Sequence, residues 1–173
     1  MKRSIAAMFA FSVLPGCVQT PRIPATEIKL ISIQAEEHLL KAHISANREL
    51  TSLFRTYENA NQLPPSLICS LDGDRDFSVN HRIKLSASGT VELDQDQARN
   101  GRFNYTAILF LVEKSDGGSN YSVDPVQMMQ LNALEPSISC KVAITAYGYK
   151  AFYSNEIEVS RHLFFDALGR TSH

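Results

Sequence analysis

Three cysteines, five histidines and a run of alternating aspartates are the residues of this 173-residue chain best suited to chemistry. Asp72, Asp74 and Asp76 alternate around Gly73, which is how a calcium-binding EF-hand loop begins. That loop needs Gly at its sixth place and Glu at its twelfth, and those places hold Phe77 and Ile83. A solvated turn is the simpler expectation. His38, His43, His81, His162 and His173 form no H-x-H or H-E-x-x-H pattern, so no metal site and no cofactor are expected. His43 falls on an apolar stripe and reads as a packed histidine rather than a ligand. Ser, His and Asp are plentiful, but no G-x-S-x-G elbow presents a nucleophile, and no enzymatic activity is expected. Glu92, Asp94 and Asp96 read as a wet hairpin end. Tyr147, Tyr149, Phe152 and Tyr153 offer large areas with polar tips, the kind of side chain favoured at interfaces. Exposed on a hairpin end they would make a recognition surface; the alternative is ordinary packing into a sheet.

The remaining reactive group, Cys17, ends a distinctive segment. Lys2 and Arg3 open the chain, and ten mostly apolar residues follow (IAAMFAFSVL). A helix spanning a bilayer needs roughly 20 such residues. A basic start with a short apolar core matches a secretory signal peptide. An ordinary signal would close on an A-x-A-like pattern, whereas this one closes on Leu14-Pro15-Gly16-Cys17. That ending resembles the lipobox of bacterial lipoproteins: a Leu, two small residues and a Cys. Pro15 takes a place usually held by Ala, Ser, Thr or Val. The resemblance covers residues 1–17 only. It implies removal of residues 1–16, a diacylglyceryl group on the Cys17 thiol, and acylation of the new amine. Each buried methylene contributes ~0.8 kcal/mol and one chain alone binds marginally, so several chains make a lasting anchor. Val18 stands where an Asp would hold such a protein in the inner membrane, which implies the outer membrane.

Cys69 and Cys140 then remain as a pair, and an oxidising periplasm makes a disulfide the natural expectation. Closing so long a loop is worth about 4 kcal/mol in the chain-entropy model. Loss of residues 1–16 removes two of the 17 cations, leaving 15 against 18 anions over 157 residues. Neither sign dominates, so nucleic-acid binding is not expected. The length suits one domain.

The elements that must position these residues follow from periodicity. Residues 18–25 (VQTPRIPA) carry two prolines and read as a spacer. Residues 26–33 suit a strand or the first turns of a helix. Ala35, Leu39, Ala42, Ala46, Leu50, Leu53 and Tyr57 recur at spacings of three and four, which predicts an amphipathic helix ending near Asn59. A strand fits only the short stretch Leu40, Ala42, Ile44, Ala46. After Pro65 the period becomes two. Strands are predicted at 67–71, 77–85, 90–93, 105–112, 137–147 and 151–159, with Ser86-Ala87-Ser88-Gly89 as a hairpin turn. Residues 105–112 (YTAILFLV) read as a strand covered on both faces. Two small helices are predicted at 125–134 and 160–168, the second capped by Ser160 and stopped by Gly169.

The expected whole is therefore an α+β chain: a signal peptide (1–16), a lipidated Cys and spacer (17–25), an N-terminal helical segment (26–62), and a disulfide-linked antiparallel β-sandwich or twisted sheet (63–173). The expected role is an outer-membrane-anchored periplasmic lipoprotein serving as a binding, accessory or assembly subunit of an envelope system such as a secretion or pilus machine, with a protein partner there. The alternative is a periplasmic inhibitor or small-ligand-binding module.

Overall fold

The structure, a computed structural model, describes residues 18–36, 39–58, 60–79, 81–94, 101–115, 119–123 and 136–170. Among the described residues nine strands form one hydrogen-bonded antiparallel sheet. They are β1 (Ile28–Glu36), β2 (Leu39–Ala46), β3 (Ser66–Ser70), β4 (Leu85–Leu93), β5 (Phe103–Lys114), β6 (Asn120–Ser122), β7 (Ser137–Ile144), β8 (Phe152–Tyr153) and β9 (Ile157–Ser160). A 3-10 turn follows β2 at Leu50–Ser52, and one helix, α1 (Arg161–Gly169), follows β9. The order across the sheet is β1-β2-β5-β4-β3-β7-β8, with β6 on β5 and β9 on β7.

The fold is thus mostly β and not α+β: the expected N-terminal helix is absent. β1 and β2 form a hairpin in its place, and β2 pairs with β5 on its other side. The short alternating stretch carried the deciding signal, since Leu40, Ala42, Ile44 and Ala46 are all buried on one face of β2. Alanine and leucine favour a helix locally, but a strand hydrogen-bonded along both edges with one buried face overrides a propensity of a few tenths of a kcal/mol per residue. The small alanines also let the strands coil closely. Ala42, Ala46, Ala87 and Ala107 all face inward.

One interior takes side chains from every strand except β6, and from α1. A single sheet achieves this only by curling, and its two ends do meet. The Asn155 side chain accepts from the Ile28 amide (2.6 Å) and donates to the Ile28 carbonyl (3.3 Å), while the Asn155 amide donates to Thr26 (3.2 Å). Helix α1 packs on β1, β2 and β9 and fills the remaining gap with Phe164, Ala167 and Leu168. Ser160 stands at its N-cap without a side-chain bond, and Gly169 is its last residue rather than the stop after it. The helix predicted at 125–134 lies outside the described residues.

Two strand predictions are also corrected. Residues 77–79 and 81–84 are loop, and the predicted turn lies inside β4. Gly89 is needed there for space: a Cβ on it would sit 1.8 Å from the Ile108 carbonyl oxygen. Strand β5 is central, but it is covered on one face only, and Phe110 points outward. Cys69 and Cys140 are bonded as expected. They face each other on adjacent strands β3 and β7, both buried.

The pairings give the curled sheet two rims. Ile28, Ala46, Ser66, Leu93, Phe103 and Ile144 end their strands at one rim. Glu36, Leu39, Ser70, Leu85, Lys114 and Ser137 lie at the other. The first is called the near rim below, because the N-terminal segment joins it.

Candidate functional site

The chain is bound to the body almost at once after Cys17, which itself lies outside the described residues. Gln19 forms a parallel bridge with Tyr149: its amide donates to the Gly148 carbonyl (2.9 Å) and its carbonyl accepts from the Lys150 amide (2.8 Å). On the other side of the same turn, Tyr147 donates to Asn61 (3.2 Å) and Leu63 donates to Thr145 (2.9 Å). Gly148, at φ +78°, makes the turn possible, since that backbone region penalises any side chain. The segment 18–25, read as a spacer, is therefore tied to the body at Gln19.

This seat divides the four aromatics singled out in the sequence. Tyr147 is 81% exposed at the tip. Tyr149 turns inward, its ring 5.2 Å from Tyr57 and 5.7 Å from Phe54, and its hydroxyl donates to the Glu58 carbonyl (3.2 Å). Phe152 packs on the core. Tyr153 lies on the outer face of the sheet, where burial pushes its phenol above the usual tyrosine range, with Asp76 adding to the effect. The structure does not gather the four on one face, because alternation along β8 and a cluster around Phe54 send them in different directions.

A second feature lies on that outer face. The loop from β3 to β4 folds back over β3, β7 and β8, held by buried Phe77 and Ile83. The three alternating aspartates build it as three consecutive Asx turns. Asp72 accepts from the Asp74 amide (3.3 Å), Asp74 from the Asp76 amide (2.9 Å), and Asp76 from the Ser78 amide (2.8 Å). Asp72 also accepts from the Leu85 amide (3.1 Å) and Ser70 (2.8 Å) and so anchors the loop's two ends. The spacing that resembled a calcium loop is the two-residue repeat of these turns. Among the described residues no group of three or more His, Cys, Asp or Glu side chains is arranged to hold a metal.

His81 closes the loop on itself. Its Nε2 contacts Asp74 Oδ2, and its Nδ1 lies 3.5 Å from Asp76 Oδ2. The hydrogen bond to Asp74 raises the imidazole's pKa above its ordinary value. The same bond, with the Asp76 amide, holds Asp74 below the usual carboxylate range. Asp76 is lowered chiefly by the Ser78 amide. Arg75 ties the loop outward to Glu156 (3.5 Å) and Glu158 (3.2 Å), and Lys141 sits 5.2 Å over the Phe77 ring.

Between loop and sheet lies a cleft of about 320 Å³. Ser66 and Ile68 of β3 and Ala143 of β7 form its floor; Phe77, Val79 and Ile83 wall it; His81, Lys114 and Tyr153 supply polar groups. Its size is at the lower end of small-ligand sites, and it suits one apolar side chain or a small apolar molecule.

Among the described residues, His43 and His162 assemble no hydrolytic site; His38 and His173 lie outside them. His43 is half-buried on the outer face of β2, not in the core, and its Nδ1 lies 3.2 Å from Thr106 Oγ1. Thr106 in turn donates to Asp94 (2.6 Å). The hydroxyl thus sits between histidine and carboxylate, with its proton directed at the carboxylate, whereas a triad needs the histidine in the middle. Glu92 is exposed and Asp96 lies outside the described residues. His162 faces Asp166 one turn along α1 (3.0 Å). Two features escaped the sequence reading, the Gln19 seat and the loop latch; only the D-x-D-x-D-x-S repeat signalled the second.

No family model matches this sequence, and comparison with curated proteins and with solved structures finds no match.

Proposed function

We propose that this chain is a lipid-anchored protein of the outer membrane's periplasmic face, serving as a binding, accessory or assembly subunit of an envelope machine. Its acyl anchor is Cys17, at the end of the LPGC motif. The observation that carries the reading is the Gln19 seat. A chain released at residue 17 is hydrogen-bonded to the body two residues later, as an anchor that must hold a domain in one pose requires. The buried Cys69–Cys140 bridge supports an oxidising compartment. The role is binding: the cleft under the Asp72–Ser78 turns offers an apolar slot with a polar edge, suited to an inserted side chain.

Two measurements test it. Cys17→Ser should move the protein from the membrane to the soluble periplasmic fraction; retention in the membrane contradicts the anchor. A photo-crosslinker at Val79, exposed at the cleft edge, should capture an envelope protein identifiable by mass spectrometry in intact cells. Capture of none counts against the accessory role.

The cleft's volume favours a second reading, a small-ligand-binding module. It predicts a mass adduct on the protein in native mass spectrometry after gentle extraction, lost when Ile68→Glu fills the floor.

A further inference from the structure

The seat of Gln19 has a geometric consequence. Two residues of fully extended chain span at most about 7 Å. An acylated Cys17 therefore holds the near rim within about that distance, plus the length of the cysteine thioether, of the glycerol level of the leaflet, for as long as the two Gln19 bonds persist. Exposed apolar side chains lie on the backbone segments adjoining this point. Val18 is 57% exposed, Leu63 is 60% exposed and Tyr147 is the most exposed of all at 81%. The segments that carry them, 18–19, 61–63 and 145–150, are hydrogen-bonded side by side. Tyrosine is the residue that collects at membrane–water interfaces, because its ring is apolar and its hydroxyl stays wet. Near this rim Arg22 and Arg48 share a recess with Glu49, and Glu27 pairs with Lys29 (3.1 Å) and Arg102 (3.8 Å), so no strong electrostatic attraction is called on.

We propose that the near rim is a membrane-resting face, with Tyr147 inserted into the lipid headgroup layer and the sheet standing on the bilayer, so that the far rim points into the periplasm. This rests on the anchor reading above and adds the orientation. The covalent tether supplies the proximity, and Val18, Leu63 and Tyr147 supply the contact. The far rim, with exposed Tyr121 on β6, is held away from lipid.

The chain has no tryptophan, which makes the test direct. Tyr147→Trp and Tyr121→Trp each give the protein a single emitter at opposite rims. The acylated protein is extracted, and acylation of Cys17 is checked by mass spectrometry. It is then placed in zwitterionic phosphatidylethanolamine vesicles with and without bromine on the upper part of the acyl chains. The expected result is at least twofold quenching and a blue shift for Tyr147→Trp, and no change for Tyr121→Trp. Adding Gln19→Pro, which deletes the amide that donates to Gly148, should restore most of the lost emission. Equal emission from Tyr147→Trp in both vesicles, on protein whose Cys17 carries its acyl groups, overturns the membrane-resting face and leaves the anchor standing. Protein whose Cys17 carries no acyl group overturns both. Quenching of the two variants alike overturns the orientation.

Discussion

Gly89 gives the sharpest test of how this sheet is built. Its backbone is not in the left-handed region, so alanine could adopt the conformation, and replacing a glycine under those conditions ordinarily stabilises by about 0.4–1 kcal/mol through the unfolded state. Here the added Cβ would stand 1.8 Å from the Ile108 oxygen and 2.7 Å from its carbonyl carbon, both backbone atoms of β5. Real contacts of this kind almost never fall below 3.0 Å, so the strands must part by more than an ångström. Neighbouring strands lie ~4.8 Å apart and a ladder bond fails beyond ~3.5 Å, so the Ser88–Phe110 and Val91–Ala107 pairs flanking the glycine would both be strained. Two weakened bonds at about 1 kcal/mol each, with about 1–3 kcal/mol of overpacking, outweigh the entropic gain and leave a net loss of about 3 kcal/mol. For a domain of this length that is a fall in Tm of roughly 6–12 °C. The assay is thermal unfolding followed by circular dichroism on the domain from residue 18 onward. A Tm unchanged or raised by Gly89→Ala would refute the close approach and restore the turn that the sequence suggested. Gly148→Ala is the natural comparison: it has open space around it and φ +78°, so its cost is backbone strain alone, about 1–2 kcal/mol.

Cys69→Ala should lower stability by about 2–5 kcal/mol in denaturant titration, and the native protein should show no free thiol at Cys69 or Cys140; a titre of two would dismiss the bridge. Tyr105→Phe should cost about 1–3 kcal/mol, because the buried Leu50 amide donates to the Tyr105 hydroxyl at 2.7 Å and would lose its acceptor. In the wild type that phenol, pushed up to about 12 by burial, should show no phenolate absorbance at pH 10.5. The His81 imidazole, followed by NMR, should titrate above 6.5; its contribution is therefore full below pH 6.5 and lost as pH rises through the raised value. Asp74 and Asp76 run the other way, contributing above about pH 3.8 and losing it as pH falls through their lowered values, so the loop is held best between the two limits. A His81 midpoint below 6.5 would sink the latch.

The legible parts of this chain were those fixed by local pattern or by chemistry with one outcome. Ile138, Cys140, Val142 and Ile144 alternate cleanly, and β7 lies where the period put it. The run 105–112 is too long and apolar to be an edge, and β5 takes partners on both sides. With Cys17 read as a lipid site, Cys69 and Cys140 remained as a pair, and they are bonded. Two of the failures share a cause: small residues have several uses. Ala35, Ala42 and Ala46 fit a helical stripe as well as a close-coiled strand, and only the pairing of β2 with β5, some 60 residues later, decides between them. Ser86-Ala87-Ser88-Gly89 has turn composition, yet those residues are small because β4 is squeezed between β3 and β5. The aromatic cluster was legible as residue types and illegible as a surface. Whether Tyr149 faces Phe54 or solvent depends on a segment ninety residues earlier in the chain.

The disulfide and the cleft belong to one piece of construction. Ser66 and Ile68 of β3 and Ala143 of β7 form the cleft floor, and Cys69 and Cys140 join those same two strands from beneath, on the buried face. Across the strands Ser139 donates to Glu156 at 2.7 Å, and Glu156 in turn accepts Arg75 of the loop. Floor, bridge and roof are thus coupled through β7: what loosens β3 from β7 loosens the seat of the loop as well. A bonded floor is a preorganised one, and binding to it costs less ordering than binding to a floor free to breathe. The bridge is therefore expected to matter for occupancy of the cleft as well as for stability. It lies one layer below the cleft floor, and the Gln19 seat holds the turn that follows β7.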